Sequence, residues 1–275
     1  MPLDRTWYNT LVDDDGSNTV GTPWNKAAVD ALMDAVDAAL IETLLASTAT
    51  GAQHNWAPGL SGHTFIKWNG AADLAVTGFA GGVAGQRVTF LNIGTFVATF
   101  AHQSASSSAG NKLRNLATSA VTPVAGGGWI TYQYDGTDWR LLAHEQGAWI
   151  VPAFSAGNFT GVGAMTWTVE AGDVLAFAYR LSGRTLVVTW RISGTSVGGT
   201  LNTDLRIGNA AFGGFVPTRG ALVPIYVSDN GTASIGIGQV GSGGSLLEIN
   251  KVPNANWGAS TNASSTYGTL TFEVN

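Results

Sequence analysis

Two hydrophobic periods divide the chain. Between residues 23 and 47, Val29, Met33, Val36, Leu40 and Thr43 recur at spacings of 4, 3, 4 and 3, a seam period near 3.5. Thr22 suits the cap of such a helix and Pro23 its first position, while Asp30, Asp34 and Asp37 fall on other faces. About three heptads need support from packing to persist in water. The seam therefore predicts either a trimeric helical neck built on Val29, Met33, Val36 and Leu40, or an amphipathic helix lying on its own domain.

From about residue 60 the period becomes two. Gln86–Ile93 and Phe96–His102 alternate on either side of Gly94-Thr95 and predict a hairpin. Gln103–Gly110 is rich in Ser and Ala and reads as a loop. Trp129–Tyr134 and Trp139–Leu142 flank the turn Asp135-Gly136-Thr137-Asp138. Residues 143–148 read as a linker. Beyond them, Leu175, Phe177, Tyr179 and Leu181 share one side of a strand. Leu186, Val188, Trp190 and Ile192 share a face of the next, and further strands are expected over 200–207, 221–228, 232–239, 245–251 and 266–274. No repeat of 20–50 residues is evident. The fold class expected is mainly β, in four parts. An arm over residues 1–22 is followed by a helix and neck over 23–57. A small β module covers 58–145, and a distal antiparallel β-sandwich or jelly roll covers 146–275.

Composition sharpens this picture. Of 275 residues, 11% are charged, against roughly 25% in ordinary soluble domains. With 45% hydrophobic residues the chain can build cores, and partner subunits are one way to shelter what the cores leave out. The 37 glycines follow no three-residue period, so the chain is not collagen. A net charge of −5 without a Lys/Arg cluster argues against a nucleic-acid partner. The absence of cysteine excludes disulfides and thiolate metal sites. Met1-Pro2-Leu3-Asp4-Arg5 does not open a signal peptide, and no apolar run approaches the ~18 residues of a membrane span, so synthesis in the cytoplasm and release by lysis is expected.

Several chemical motifs match only in letters. Gly236–Gly241 spells G-x-G-x-x-G, but a strand rather than a helix should follow, and residues 256–261 supply no acid for a ribose. Gly194–Gly198 spells G-x-S-x-G between two expected strands, and all four histidines, His54, His63, His102 and His144, precede it. Asp13 and Asp15 before Gly16 partly match a calcium loop, yet Leu11 and Thr22 occupy its two key ligand positions. Among the distal acids Glu170, Asp173, Asp204, Asp229, Glu248 and Glu273 no pair stands out for glycoside cleavage. No catalytic residue, cofactor or metal ligand is assigned. The one candidate binding loop is Asn254-Ala255-Asn256-Trp257, where an indole could stack on a sugar and Asn254 and Asn256 could bond its hydroxyls. The alternative there is a loop anchored by a buried Trp257.

Two stretches resemble bacteriophage fibre proteins. Arg5–Gly16, leading through Val20-Gly21-Thr22-Pro23-Trp24-Asn25-Lys26, is similar to the start of many tail or virion-associated proteins. Val88–Leu142 is similar to a common fibre module, through Leu91-Asn92-Ile93-Gly94-Thr95, Phe100–Ser107, Asn111–Arg114 and Tyr134–Leu141. The distal part resembles receptor-binding tips in pattern only. The resemblance implies a homotrimeric fibre or spike subunit of the virion, joined to other virion proteins through the N-terminal arm. Its distal domain would meet a host glycan or receptor, without enzymatic activity. A capsid decoration or head fibre protein, a carbohydrate-binding module and a capsule depolymerase are the competing expectations.

Overall fold

The computed structural model describes residues 29–34, 36, 43–60, 62–118 and 120–275. It is mainly β. Residues 29–34 and 36 are helical, with Val29, Met33 and Val36 half-buried. Leu40 and the expected arm lie outside the described residues. The helix does not reach residue 47, because Thr43–Ser47 forms strand β1, whose alternation packs Leu45 inward against neighbouring strands and leaves Leu44 exposed. Thr43, expected on the helical seam, is thus a strand residue.

The first β body is a parallel solenoid, which the strand alternation alone did not predict. Strands β1, β3 (His63–Trp68) and β5 (Arg87–Asn92) run parallel in one sheet. Strands β2 (Gly51–Gln53), β4 (Leu74–Val76) and β6 (Ala98–Phe100) run parallel in a second. The chain passes from one sheet to the other in each coil. Thr43 is paired with Thr64 and Thr64 with Val88, intervals of 21 and 24 residues. A structural repeat therefore exists where none was expected. It is hidden because equivalent positions carry unlike residues, as in the row Ser47, Trp68, Asn92.

The predicted hairpin across Gly94-Thr95 is likewise a solenoid corner, since β5 and β6 belong to different sheets. Asn92 makes that corner. Fully buried, it donates to the carbonyls of Phe96 (2.7 Å) and Val124 (2.9 Å) and accepts from the Gly94 amide (2.9 Å). Antiparallel strands finish the body. Strand β8 (Thr122–Val124) pairs with β6, β9 (Trp129–Tyr134) with β5, and β10 (Trp139–Glu145) with β9, while the short β7 (Leu113–Arg114) lies along β10. The β9–β10 hairpin is the one predicted. Its turn is set by Asp135, whose Oδ1 accepts from the amides of Thr137 and Asp138.

Aromatic rings fill this core as a connected stack: Trp56 on Phe79 (5.8 Å), Phe79 on Trp139 (5.5 Å), Trp68 on Phe90 (5.7 Å) and Phe90 on Phe100 (5.1 Å). Each such contact adds roughly 0.5–1.5 kcal/mol beyond area burial. The indole N–H groups are satisfied by backbone, Trp68 by Ala49 O (2.6 Å) and Trp139 by Phe79 O (2.9 Å).

The second body comprises β11 (Phe159–Gly161), β12 (Met165–Thr168), β13 (Val174–Ser182), β14 (Thr185–Gly199), β15 (Asp204–Gly208), β16 (Ala221–Asp229), β17 (Thr232–Val240), β18 (Leu246–Lys251) and β19 (Ser260–Glu273). The predicted strands from 200 onward match β15 to β19 closely. Their arrangement is not two facing sheets. All nine lie in one sheet, ordered β11-β15-β18-β17-β16-β19-β14-β12 with β13 also on β14. Bulges between Ser193 and Val197 bend the long β14–β19 pair. The two ends of the path meet through the turn after β11, where Met165 N–H bonds Val162 O. The result is barrel-like. Its core holds Phe177, Tyr179, Leu181, Leu186, Val188, Trp190 and Ile192, the faces expected. Leu175 is the exception, because a bulge between Val174 and Ala176 turns it out to 55% exposure.

Residues 143–148 are a locked joint rather than a loose linker. Gln146 has no exposed surface. Its carbonyl accepts from Ala125 N–H in the solenoid (2.7 Å), its Oε1 accepts from Leu181 N–H in the barrel (2.8 Å), and its Nε2 donates to Ala148 O (3.0 Å) and Tyr179 O (3.3 Å). Beside it Ile150 and Tyr179 exchange two backbone bonds of 3.0 Å, and Arg180 pairs with Glu145. A Cβ on Gly147, at φ +86°, would stand 2.3 Å from Gly128 N, so this crossing of chains requires glycine.

Candidate interaction surfaces

The predicted sugar-stacking role of Trp257 is not open to it. The indole is fully buried, its N–H donating to Thr203 O (3.0 Å), its amide bonding Asn202 O (2.8 Å) and Lys251 Nζ lying 5.7 Å from its ring. Asp229 closes the loop over it, accepting from Gly258 N–H (2.9 Å) and Lys251 Nζ (2.5 Å). Trp257 anchors the loop, and Asn254 and Asn256 remain exposed beside it. Stacking needs an accessible ring face, so only the two asparagines of that trio stand ready for solvent.

The barrel's outer face offers a different constellation. Outward positions come into register across four strands as Arg191, Tyr267, Tyr226 and Ile235. Tyr226 and Tyr267 stack at 4.9 Å and 13°, and the Arg191 guanidinium sits 5.3 Å from the Tyr267 ring. Hydroxyl pairs flank the row: Ser193 with Ser265 (3.0 Å) and Thr269 with Thr189 (3.1 Å). The Ser193 hydroxyl, which can turn to donate to a phenolate, draws the Tyr267 phenol below its ordinary range, helped by Ser265 and Arg191. Tyr226 is 42% exposed and Ile235 is 64% exposed.

On the same outer face β15, β18 and β17 gather a polar cluster. Arg206 bonds Glu248 (3.1 Å) and lies 3.7 Å from Asp204, and Gln239 donates to the second Glu248 oxygen (3.2 Å). With its amide turned to suit its neighbours, Asn250 donates to Asp204 (2.7 Å). The two acids that the sequence left unpaired are therefore neighbours, held by a shared guanidinium. Among the described residues Arg206 Nε is buried without a hydrogen-bond partner. Planar amides, carboxylates and a guanidinium on one surface form the kind of donor and acceptor array that hydroxyl-rich ligands meet. Sequence reasoning could place each residue on an outward position, but only strand order brings them together.

The matched motifs have packing explanations. Gly236 and Gly238 of G-x-G-x-x-G lie in β17, where a Cβ on Gly236 would approach Val227 to 2.5 Å and Asn250 O to 2.6 Å. Gly194–Gly198 lies inside β14 at its bulges. Among the described residues no group of three His, Asp or Glu side chains could hold a metal ion. Neither protein-family models nor curated proteins give a match to this chain.

Proposed function

We propose that this chain is a structural subunit of a bacteriophage particle, a homotrimeric fibre or spike that attaches the particle to its host. The observation that carries this reading is the pairing of two charge-poor β bodies with large apolar side chains left outside. Leu44 and Val83 on the solenoid, and Leu175, Leu222 and Ile235 on the barrel, are each more than half exposed. Such surface is sheltered when copies of the chain pack around a common axis. The joint at Gln146 supports a mechanical role, because it leaves no free hinge between the bodies. The helical residues Val29, Met33 and Val36 would form the start of a trimeric neck. The Val88–Leu142 stretch, which carries the fibre resemblance, holds the Asx-type turn at Asp135 and the corner asparagine Asn92.

In this reading the barrel is the recognition end. The Tyr226 row and the Asp204–Arg206–Glu248 cluster would present aromatic, amide and carboxylate groups to a surface glycan or receptor, with three copies adding avidity. The test is adsorption. Purified wild-type protein, added first, should block attachment of the parent phage to its host. Tyr226→Ala should weaken that block while leaving the mass of the assembly unchanged. Undiminished attachment in the presence of saturating wild-type protein would overturn the role.

A further inference from the structure

Among the described residues, the joint between the two bodies carries a surface that the intramolecular packing leaves unfinished. Ile150 pairs with Tyr179 at the outer edge of β13. In that antiparallel register residue 152 falls opposite Phe177. Residue 152 is proline, which has no N–H to give. The chain leaves the sheet there, and the edge of β13 around Phe177 has no strand partner on that side among the described residues. Between the departing segment and the strand lies a groove of about 340 Å³. Val151, Phe154, Phe159, Val174, Leu175 and Phe177 form its walls, and every residue lining it is uncharged. Val151 is 75% exposed, and Leu175 is thrown outward by the bulge described above.

We infer that this waist is where copies of the chain meet, each covering its neighbour's groove and strand edge near the symmetry axis. The inference rests on the trimeric reading and names its contact surface. Charge favours a second copy as the occupant. No lining residue is charged and the nearby Arg180 and Glu145 neutralise each other, so Asp173 beside Val174 is the main charge at the rim. Like surfaces therefore approach with little repulsion, while a strongly charged partner finds little counterpart. Position favours it too. The groove continues the Ile150–Tyr179 ladder that ties the bodies together, so a contact here braces both bodies at once. An uncovered apolar strand edge is also an aggregation hazard that a closed ring of subunits removes.

The chain contains no cysteine, so single thiols report the geometry cleanly. Val151→Cys, treated with a short bismaleimide, should give covalently linked chains in high yield. Ser182→Cys, exposed at the far end of β13, should give almost none. In parallel, light scattering of wild-type protein should return three times the 28.4 kDa chain mass. Val151→Asp should return a single chain with an unchanged β-type circular dichroism spectrum. A trimeric mass with no cross-link at residue 151, or a trimer that survives Val151→Asp, overturns the waist contact and leaves the trimeric reading standing. A wild-type mass equal to one chain overturns the trimeric reading itself.

Discussion

The solenoid and the barrel solve the same problem, burying many aromatic rings in a charge-poor β chain, over very different sequence distances. In the solenoid a ring packs on the ring of the next coil, as Trp56 does on Phe79, and each coil is closed by residues about two dozen positions away. In the barrel the decisive pairing joins β14 to β19, with Leu186 against Phe272. Its central indole, Trp190, sits in space cleared by glycines, since a Cβ on Gly268 would stand 2.5 Å from it. A stack of coils can form one unit upon another. A closed sheet must bring its two ends together before its core is rewarded, which is costlier in chain entropy and slower. The solenoid is therefore expected to distribute damage between neighbouring coils, and the barrel to hold or fail as a unit.

The largest test of that contrast is Trp68→Ala. The ring is fully buried, tilted on Phe90 and hydrogen-bonded to Ala49 O. Removal of a large buried aromatic costs about 3–5 kcal/mol. Amide hydrogen exchange should show β3, β5 and β9 losing protection first, with β14 and β19 retaining theirs. Equal loss in β14 and β19 would mean that the two bodies share one cooperative core.

The joint decides how far the contrast survives in the whole chain. Gln146→Ala strands the buried Leu181 N–H and removes the bridge to Tyr179 O. An orphaned buried donor costs about 1–3 kcal/mol. Calorimetry should show two overlapping unfolding transitions in the parent protein and a wider separation between them in the variant. An unchanged separation would assign the coupling to Ile150 and the Glu145–Arg180 pair. The latter is half-exposed and of a kind typically worth about 0.2–1 kcal/mol.

How legible each body was follows from the same physics. Alternation in Leu186–Ile192 fixes which residues face a core, and seven of the nine barrel strands were placed, while β11 and β12 were missed and β14 and β19 were read short. Alternation says nothing about partners. Gln86–Ile93 and Phe96–His102 look like a hairpin around Gly94-Thr95 because a hairpin turn and a solenoid corner use the same small residues. Asn92, buried at that corner, was the available clue, since an asparagine with three internal bonds has no place in an ordinary hairpin strand. Trp257 is the opposite case. A tryptophan among asparagines reads either as a sugar platform or as a buried anchor, and the bonds to Thr203 O and around Asp229 decide for the anchor. The Arg191–Tyr267–Tyr226–Ile235 row was beyond reach, because its members come from four strands whose order no local pattern encodes. Gln146 was missed because a polar residue between a glutamate and a glycine looks like linker. Its role depends on two bodies closing around it.

Acid offers the mildest way to separate the bodies, because all four histidines lie between residues 54 and 144 and none in the barrel. His144 is 9% exposed, and its Nε2 is 2.7 Å from Pro123 O, so that nitrogen carries the proton. Its Nδ1 is buried with no hydrogen-bond partner among the described residues. Burial lowers its pKa more than the Pro123 carbonyl and the Glu145 charge raise it. His102 is lowered as well, by burial and then by the Arg114 charge. With folded values below the ordinary 6.5, the unfolded chain binds protons first as pH falls. The solenoid's stability is therefore full above pH 6.5 and declines as pH drops through that value toward the lowered ones. Glu145 and Asp135 do not interfere in this window. Hydrogen bonding to Arg180 lowers Glu145 below 4.5, and the Asp138 and Thr137 amides with Arg140 hold Asp135 at about 2, so both act only at lower pH. Between pH 7.5 and 5, hydrogen exchange should quicken in β8 and β10 and stay constant in β14 and β19. His144→Gln, which keeps a donor for Pro123 O without a titrating ring, should remove most of the β8 and β10 response. A pH response of equal size in that variant would place the proton uptake elsewhere, with His102 the next residue to replace.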